Sequence, residues 1–200
     1  MAGNESAFSF EVRRKTAHIL LTFYPLLFVA AGITRPYELA AYLAYFAFWI
    51  ASELLRIHLG IETPTAFLIR RISRANIRGT FSKEWRRLRF PYWIVGSLIA
   101  IAFFSGNAVV AATVCLSFGD SASGLVKALI GARRSAFATL VGIAVSAPII
   151  FAWTGGLAIA AFAAVIGMSA EFIKPIDDNL TIPVFAAIAS QAAIALQSAL

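Results

Sequence analysis

The chain has 200 residues, 60% of them hydrophobic and only 14% charged, with a mean hydropathy of +0.81. This composition excludes an ordinary water-soluble domain, and long apolar runs without period-two alternation exclude a barrel, leaving an all-α integral membrane protein. The net charge of +7 directs the basic surplus toward anionic headgroups or a phosphorylated substrate rather than nucleic acid, and the single cysteine, Cys115, excludes a disulfide framework or a cysteine-based metal site.

Met1 to Glu11 is short and mostly polar, and Arg13, Arg14 and Lys15 then precede an apolar run at 19–33. This run reads as a retained first span rather than a signal peptide, because further apolar runs follow it. After the break Thr34-Arg35-Pro36-Tyr37, a second span rich in aromatics covers 38–55. Residues 57–90 form one cytoplasmic loop crowded with arginine, in which Thr63-Pro64 marks a helix start and Gly79 a break. There Phe81, Trp85 and Leu88 recur at i, i+4 and i+7, an amphipathic pattern suited to the bilayer surface. Further spans are expected at 91–104, 108–130, 136–153, 157–172 and 180–200, giving a single domain over 1–200 with about seven transmembrane helices.

Alternating these spans across a bilayer sends every basic residue except Arg35 to one side. The positive-inside rule makes that side the cytoplasm, with the N-terminus inside. Asp120, Glu171, Asp177 and Asp178 fall at the same ends of their spans, so one polarised face is expected to carry one site.

Asp120 is the residue that most needs explaining. An acid within a spanning segment costs about 2.5–3.5 kcal/mol or more unless it meets a cation, a metal ion or water, which makes it a functional candidate. The small residues around it, Gly119, Ser121, Ala122, Ser123 and Gly124, allow another helix or a phosphate to come close. Carboxylates at several helix ends beside surplus arginine and lysine suit a magnesium nucleotide, since the hard cation takes oxygen ligands and phosphates take fixed positive charge. Asp120, Asp177, Asp178 and Asn179 are the oxygen donors assigned to metal, although acids and Asn are also favoured at the N-terminus of a helix such as the last span. His18 shares a helix side with Arg14 and Lys15, where it could bind a phosphate, move a proton or simply be solvated. There is no Walker loop, dinucleotide fingerprint, nucleophile elbow or HExxH motif.

Three segments together resemble the polyprenol kinase family of dolichol kinases, phytol kinases and CTP-dependent diacylglycerol kinases. They are R-R-K-T-A-H from Arg13 to His18, G-D-S-A-S-G from Gly119 to Gly124, and E-F-I-K-P-I-D-D-N-L-T-I-P-V from Glu171 to Val184. S-E-L-L-R from Ser52 to Arg56 adds to the likeness. The resemblance implies transfer of the terminal phosphate of CTP, or another nucleoside triphosphate, to the hydroxyl of a membrane lipid alcohol, with magnesium as cofactor. It implies that Asp120 and Asp178 with Asn179 hold magnesium and triphosphate, that Glu171 and Lys174 border them, and that Arg14, Lys15 and His18 close the site. The chain departs from the family after Gly131, where a longer Gly- and Lys-containing loop is usual, leaving Lys127, Arg133 and Arg134 to reach the phosphates.

Two rival readings stay open at this level. A cytidylyltransferase would use the same ingredients to make a CDP-lipid. A small transporter would use the buried acid as a relay, but it needs polar steps on both sides, and the outer halves of the spans offer only Arg35 and Glu38.

Overall fold

The computed structural model describes residues 7–61, 63, 92–132, 135–173 and 176–199. Most of the expected 57–90 loop, with its Phe81, Trp85 and Leu88 stripe, lies outside the described residues, as do Arg133, Arg134 and Lys174. Among the described residues every regular element is helical. In chain order these are α1 (Ala7–Thr22), α2 (Tyr24–Ala30), α3 (Arg35–Leu59), α4 (Tyr92–Phe103), α5 (Gly106–Val114), α6 (Asp120–Ile130), α7 (Ala136–Thr154), α8 (Leu157–Ser169) and α9 (Asp178–Ala199). A π-helical turn, Cys115–Gly119, fuses α5 and α6 into one rod, and a 3-10 turn, Ala170–Phe172, extends α8.

The helix boundaries follow local chemistry. Pro36 occupies the first turn of α3, where its missing N–H goes unmissed, and Gly60 closes that helix at φ 66. The Ser135 hydroxyl accepts from Ala138 N to cap α7.

The count of seven spans is corrected by the structure. Among the described residues, four helical stretches are long and apolar enough to cross a membrane: Arg35–Arg56, Gly106–Ile130, Ala136–Thr154 and Asp178–Ala199. Tyr92–Phe103 and Leu157–Phe172 are apolar but shorter. The expected first span at 19–33 is not one helix, because α1 starts back at Ala7, carries the basic cluster within it and ends at Thr22. Pro25 in the first turn of α2 supplies no backbone N–H to continue the α1 ladder, so a new helix begins at Tyr24.

The Gly106–Ile130 rod is mostly buried, with α1, α2, α4, α7, α8 and α9 packed around it. Within lipid, helices gain little from apolar contact as such and associate where small residues let backbones approach. The inner side of α8 is built this way: Ala160, Ala163, Ala164 and Gly167 are buried, and a Cβ on Gly167 would meet Ala186 of α9. A second, aromatic cluster joins α3 to α4 through Tyr42, Trp49 and Trp93, with the Tyr45 ring meeting Trp49 edge-on and Trp93 at a tilt. Outward faces carry Leu43, Phe48, Phe137, Leu140, Phe162 and Leu196, an apolar exterior of the kind a bilayer covers.

Candidate functional site

Among the described residues, some of the polar side chains expected to share one face meet in pairs, Lys15 with Asp120 and Lys127 with Glu171, and the π-helical turn is central to the first of these. A π turn holds one residue more than an α turn, which offsets the faces before and after it, and such turns are frequent at functional sites. Asp120 follows this one directly. The turn also presents its own groups to α1. His18 Nε2 donates to the Leu116 carbonyl at 3.2 Å, and the hydroxyls of Thr22 and Ser117 lie 2.6 Å apart. Thr22 in turn donates to the His18 carbonyl at 2.8 Å, tying the two levels of α1 together.

Through these contacts α1 delivers Lys15 to Asp120. The Lys15 ammonium lies 2.5 Å from Asp120 Oδ2, with the two residues only 4% and 6% exposed. His18 Nε2 stands 3.5 Å from the same oxygen. A buried acid of this kind is tolerable because a cation and hydrogen bonds offset the loss of water. Arg14 sits nearer the surface, its guanidinium engaged by Glu11 and its charge within electrostatic reach of both Asp120 and Asp178.

Farther along α6, Lys127 Nζ donates to Glu171 Oε2 at 2.6 Å, and Ser123 Oγ donates to the same oxygen at 3.4 Å. The Thr139 hydroxyl, from α7, donates to Glu171 Oε1. Glu171 is 8% exposed and is carried by the 3-10 turn, which Thr181 of α9 anchors by donating to the Ala170 carbonyl at 3.1 Å. Asp120, Ser123 and Lys127 thus form one stripe on α6 at helical spacing, binding α1 at one end and the 3-10 turn at the other.

The turn before α9 completes the face. Asp177 Oδ1 accepts from Asn179 N at 3.0 Å and from Asn179 Nδ2 at 2.9 Å, and Asp178 Oδ1 accepts from Asn179 N at 3.0 Å. The Asp177 carbonyl takes the backbone N–H of Leu180 and Thr181. Capping therefore accounts for one oxygen of Asp177, as the N-terminal alternative expected. Asp178 lies within electrostatic range of Asp120 and Lys15.

The glycines have separate tasks. A Cβ on Gly119 would strike Ser146 and Met168, so this residue sets the approach of α7 and α8 to the rod. A Cβ on Gly124 would strike the end of the Lys15 side chain. Gly124→Ala is expected to leave the helices intact while pushing Lys15 Nζ off Asp120. About tenfold or more of any activity should be lost, because misplacement near 1 Å is that expensive, and unchanged circular dichroism would separate this from unfolding.

Among the described residues, no three His, Cys, Asp or Glu side chains gather into a cation cage. Two carboxylates, Asp120 and Asp178, lie within electrostatic reach of each other beside lysine. That donor set fits magnesium carried in by phosphates, which commonly takes one or two carboxylates and keeps waters, rather than a resident ion with an all-protein shell. Thr139, Thr22 and Ser117 belong to the site and were not anticipated, since hydroxyls inside apolar runs carry no spacing signal. Comparison with protein-family models, curated proteins and solved structures gives no match to this chain.

Proposed function

We propose that this protein is a membrane lipid-alcohol kinase. In this reading it transfers the terminal phosphate of a nucleoside triphosphate, CTP in the first instance, to the hydroxyl of a polyprenol-like or diacylglycerol-like lipid. The observation that carries the reading is the buried Lys15–Asp120 pair, flanked by Lys127–Glu171 and within reach of Asp178 at one end of the bundle. The resemblance of the same three segments to polyprenol kinases supports it from the sequence.

The lipid hydroxyl approaches from the bilayer and the triphosphate from the cytoplasm, the side to which the positive-inside rule assigns the N-terminus and the basic residues. Phosphoryl transfer asks the protein mostly for positioning and for neutralisation of charge. Lys15, Arg14 and Lys127 supply fixed positive charge at the described face, with Arg133, Arg134 and Lys174 adjoining it in sequence. Asp120 and Asp178, with Asp177 and Asn179 beside them, would hold magnesium, which offsets negative charge on the transferring group when bound. As the lipid oxygen bonds to phosphorus and the bond to the nucleotide's bridging oxygen breaks, the hydroxyl proton passes to a carboxylate of the pair. His18, hydrogen-bonded to Leu116, stands 3.5 Å from the Asp120 oxygen that Lys15 also meets.

The test is turnover of purified protein with a panel of lipid alcohols, magnesium and each triphosphate labelled on its terminal phosphate. Label on the lipid is the expected result. Release of pyrophosphate with the nucleotide left on the lipid would replace this reading with a cytidylyltransferase, and no magnesium-dependent turnover with any pair would remove the kinase assignment.

A further inference from the structure

A second polar feature lies at the opposite end of the bundle and takes no part in the site above. The connection from α2 to α3 and the start of α5 border a half-open cavity of about 260 Å³, lined by Val29, Ile33, Phe104 and Val109 together with Arg35 and Glu38. Gly106 at its wall and Asp120 are separated by fourteen residues of one helical rod, or about 20 Å.

Glu38 is the unusual member of this lining. It is 5% exposed, and among the described residues its Oε1 has no hydrogen-bond partner. An acid in the first turn of α3 complements the helix dipole, yet that accounts for a charge near the helix end and not for a buried oxygen without a donor. A buried acceptor left unpaired carries a desolvation penalty that a ligand with N–H groups would relieve. Arg35, one turn earlier on the same helix side, is exposed at the rim and anchored by donation from Nε to the Ile101 carbonyl at 2.7 Å. Side chains three apart on a helix are neighbours, about 5–6 Å from each other at Cβ, so one small ligand carrying both a cation and an anion can meet Glu38 and Arg35 together.

We propose that this cavity is a headgroup site for a phospholipid bearing a primary ammonium and a phosphate, of the phosphatidylethanolamine type. The ammonium enters the cavity to meet Glu38, the phosphate meets Arg35 at the rim, and the acyl chains run down the apolar exterior. The location fits, because α3 and the rod from Gly106 are both long and apolar enough to span a bilayer, and both begin here.

The test uses the full chain in nanodiscs containing equal phosphatidylethanolamine and phosphatidylglycerol, extracted into mild detergent, with retained lipid quantified by native mass spectrometry. Wild-type protein is expected to retain phosphatidylethanolamine with a preference of about tenfold, equivalent to about 1.4 kcal/mol. Glu38→Gln should bring the ratio near unity while leaving Asp120-dependent activity in place. Gly106→Leu, at a position where an added side chain meets open space, should lower retention without altering either charge. Equal retention of the two lipids by the wild-type chain overturns the proposal whether or not the variants fold, and so does a wild-type preference that survives Glu38→Gln.

Discussion

Asp120→Asn is expected to lower phosphate transfer by the folded protein by about 10²–10⁴-fold, the range associated with losing a positioned acid–base or electrostatic group, and to lower stability as well because the buried Lys15 loses its counter-charge. The substitution keeps the shape and one acceptor oxygen for Lys15 but removes the negative charge that lies 2.5 Å from its ammonium. Steady-state transfer with the best lipid and triphosphate, beside thermal unfolding in the same detergent, measures both halves of the expectation. Activity that survives undiminished would remove Asp120 from the centre of the chemistry and with it the proposed mechanism.

Lys15→Met tests the same pair from the other side and should act mainly on stability. Removing one partner of a buried ion pair leaves an uncompensated charge and typically costs about 3–5 kcal/mol. With Asp120 only 6% exposed, little water can reach it to compensate. The loss should be largely recovered in Lys15→Met/Asp120→Leu, because a matched apolar pair can replace a buried ion pair at little expense, whereas activity should stay absent in the double variant. Reversible unfolding of the three proteins in detergent decides the matter. A Lys15→Met variant as stable as wild type would mean that the pair contributes nothing to holding α1 on the rod.

The features that were legible in the sequence are those written in local order. Apolar runs placed α3, α4, α7, α8 and α9 within a few residues of their observed positions, and among the described residues two of the expected acids meet expected bases, Asp120 with Lys15 and Glu171 with Lys127. The first span was misjudged because hydropathy averages across 19–33 and does not register that Pro25 interrupts the hydrogen-bond ladder between Thr22 and Tyr24. The π turn was illegible for a different reason. Cys115–Gly119 contains nothing that forbids an ordinary α turn, so its register is set by the partners that accept and fill it, among them His18, Thr22 and Ala163. Lys15 and Asp120 lie 105 positions apart, and only the packing of α1 on α6 reveals that the basic motif at the chain start and the acid mid-chain are halves of one pair. Glu171 and Lys127 could each be marked as polar residues near a helix end. Their bond to each other, and to Thr139, required the third dimension.

The stripe on α6 has a mechanical consequence. Asp120 and Lys127 hang from a single rigid segment and grip different neighbours, α1 at one level and the 3-10 turn at the other. Any roll of that segment about its long axis would therefore strain both grips together, which ties the rotational setting of α6 to two neighbours rather than one.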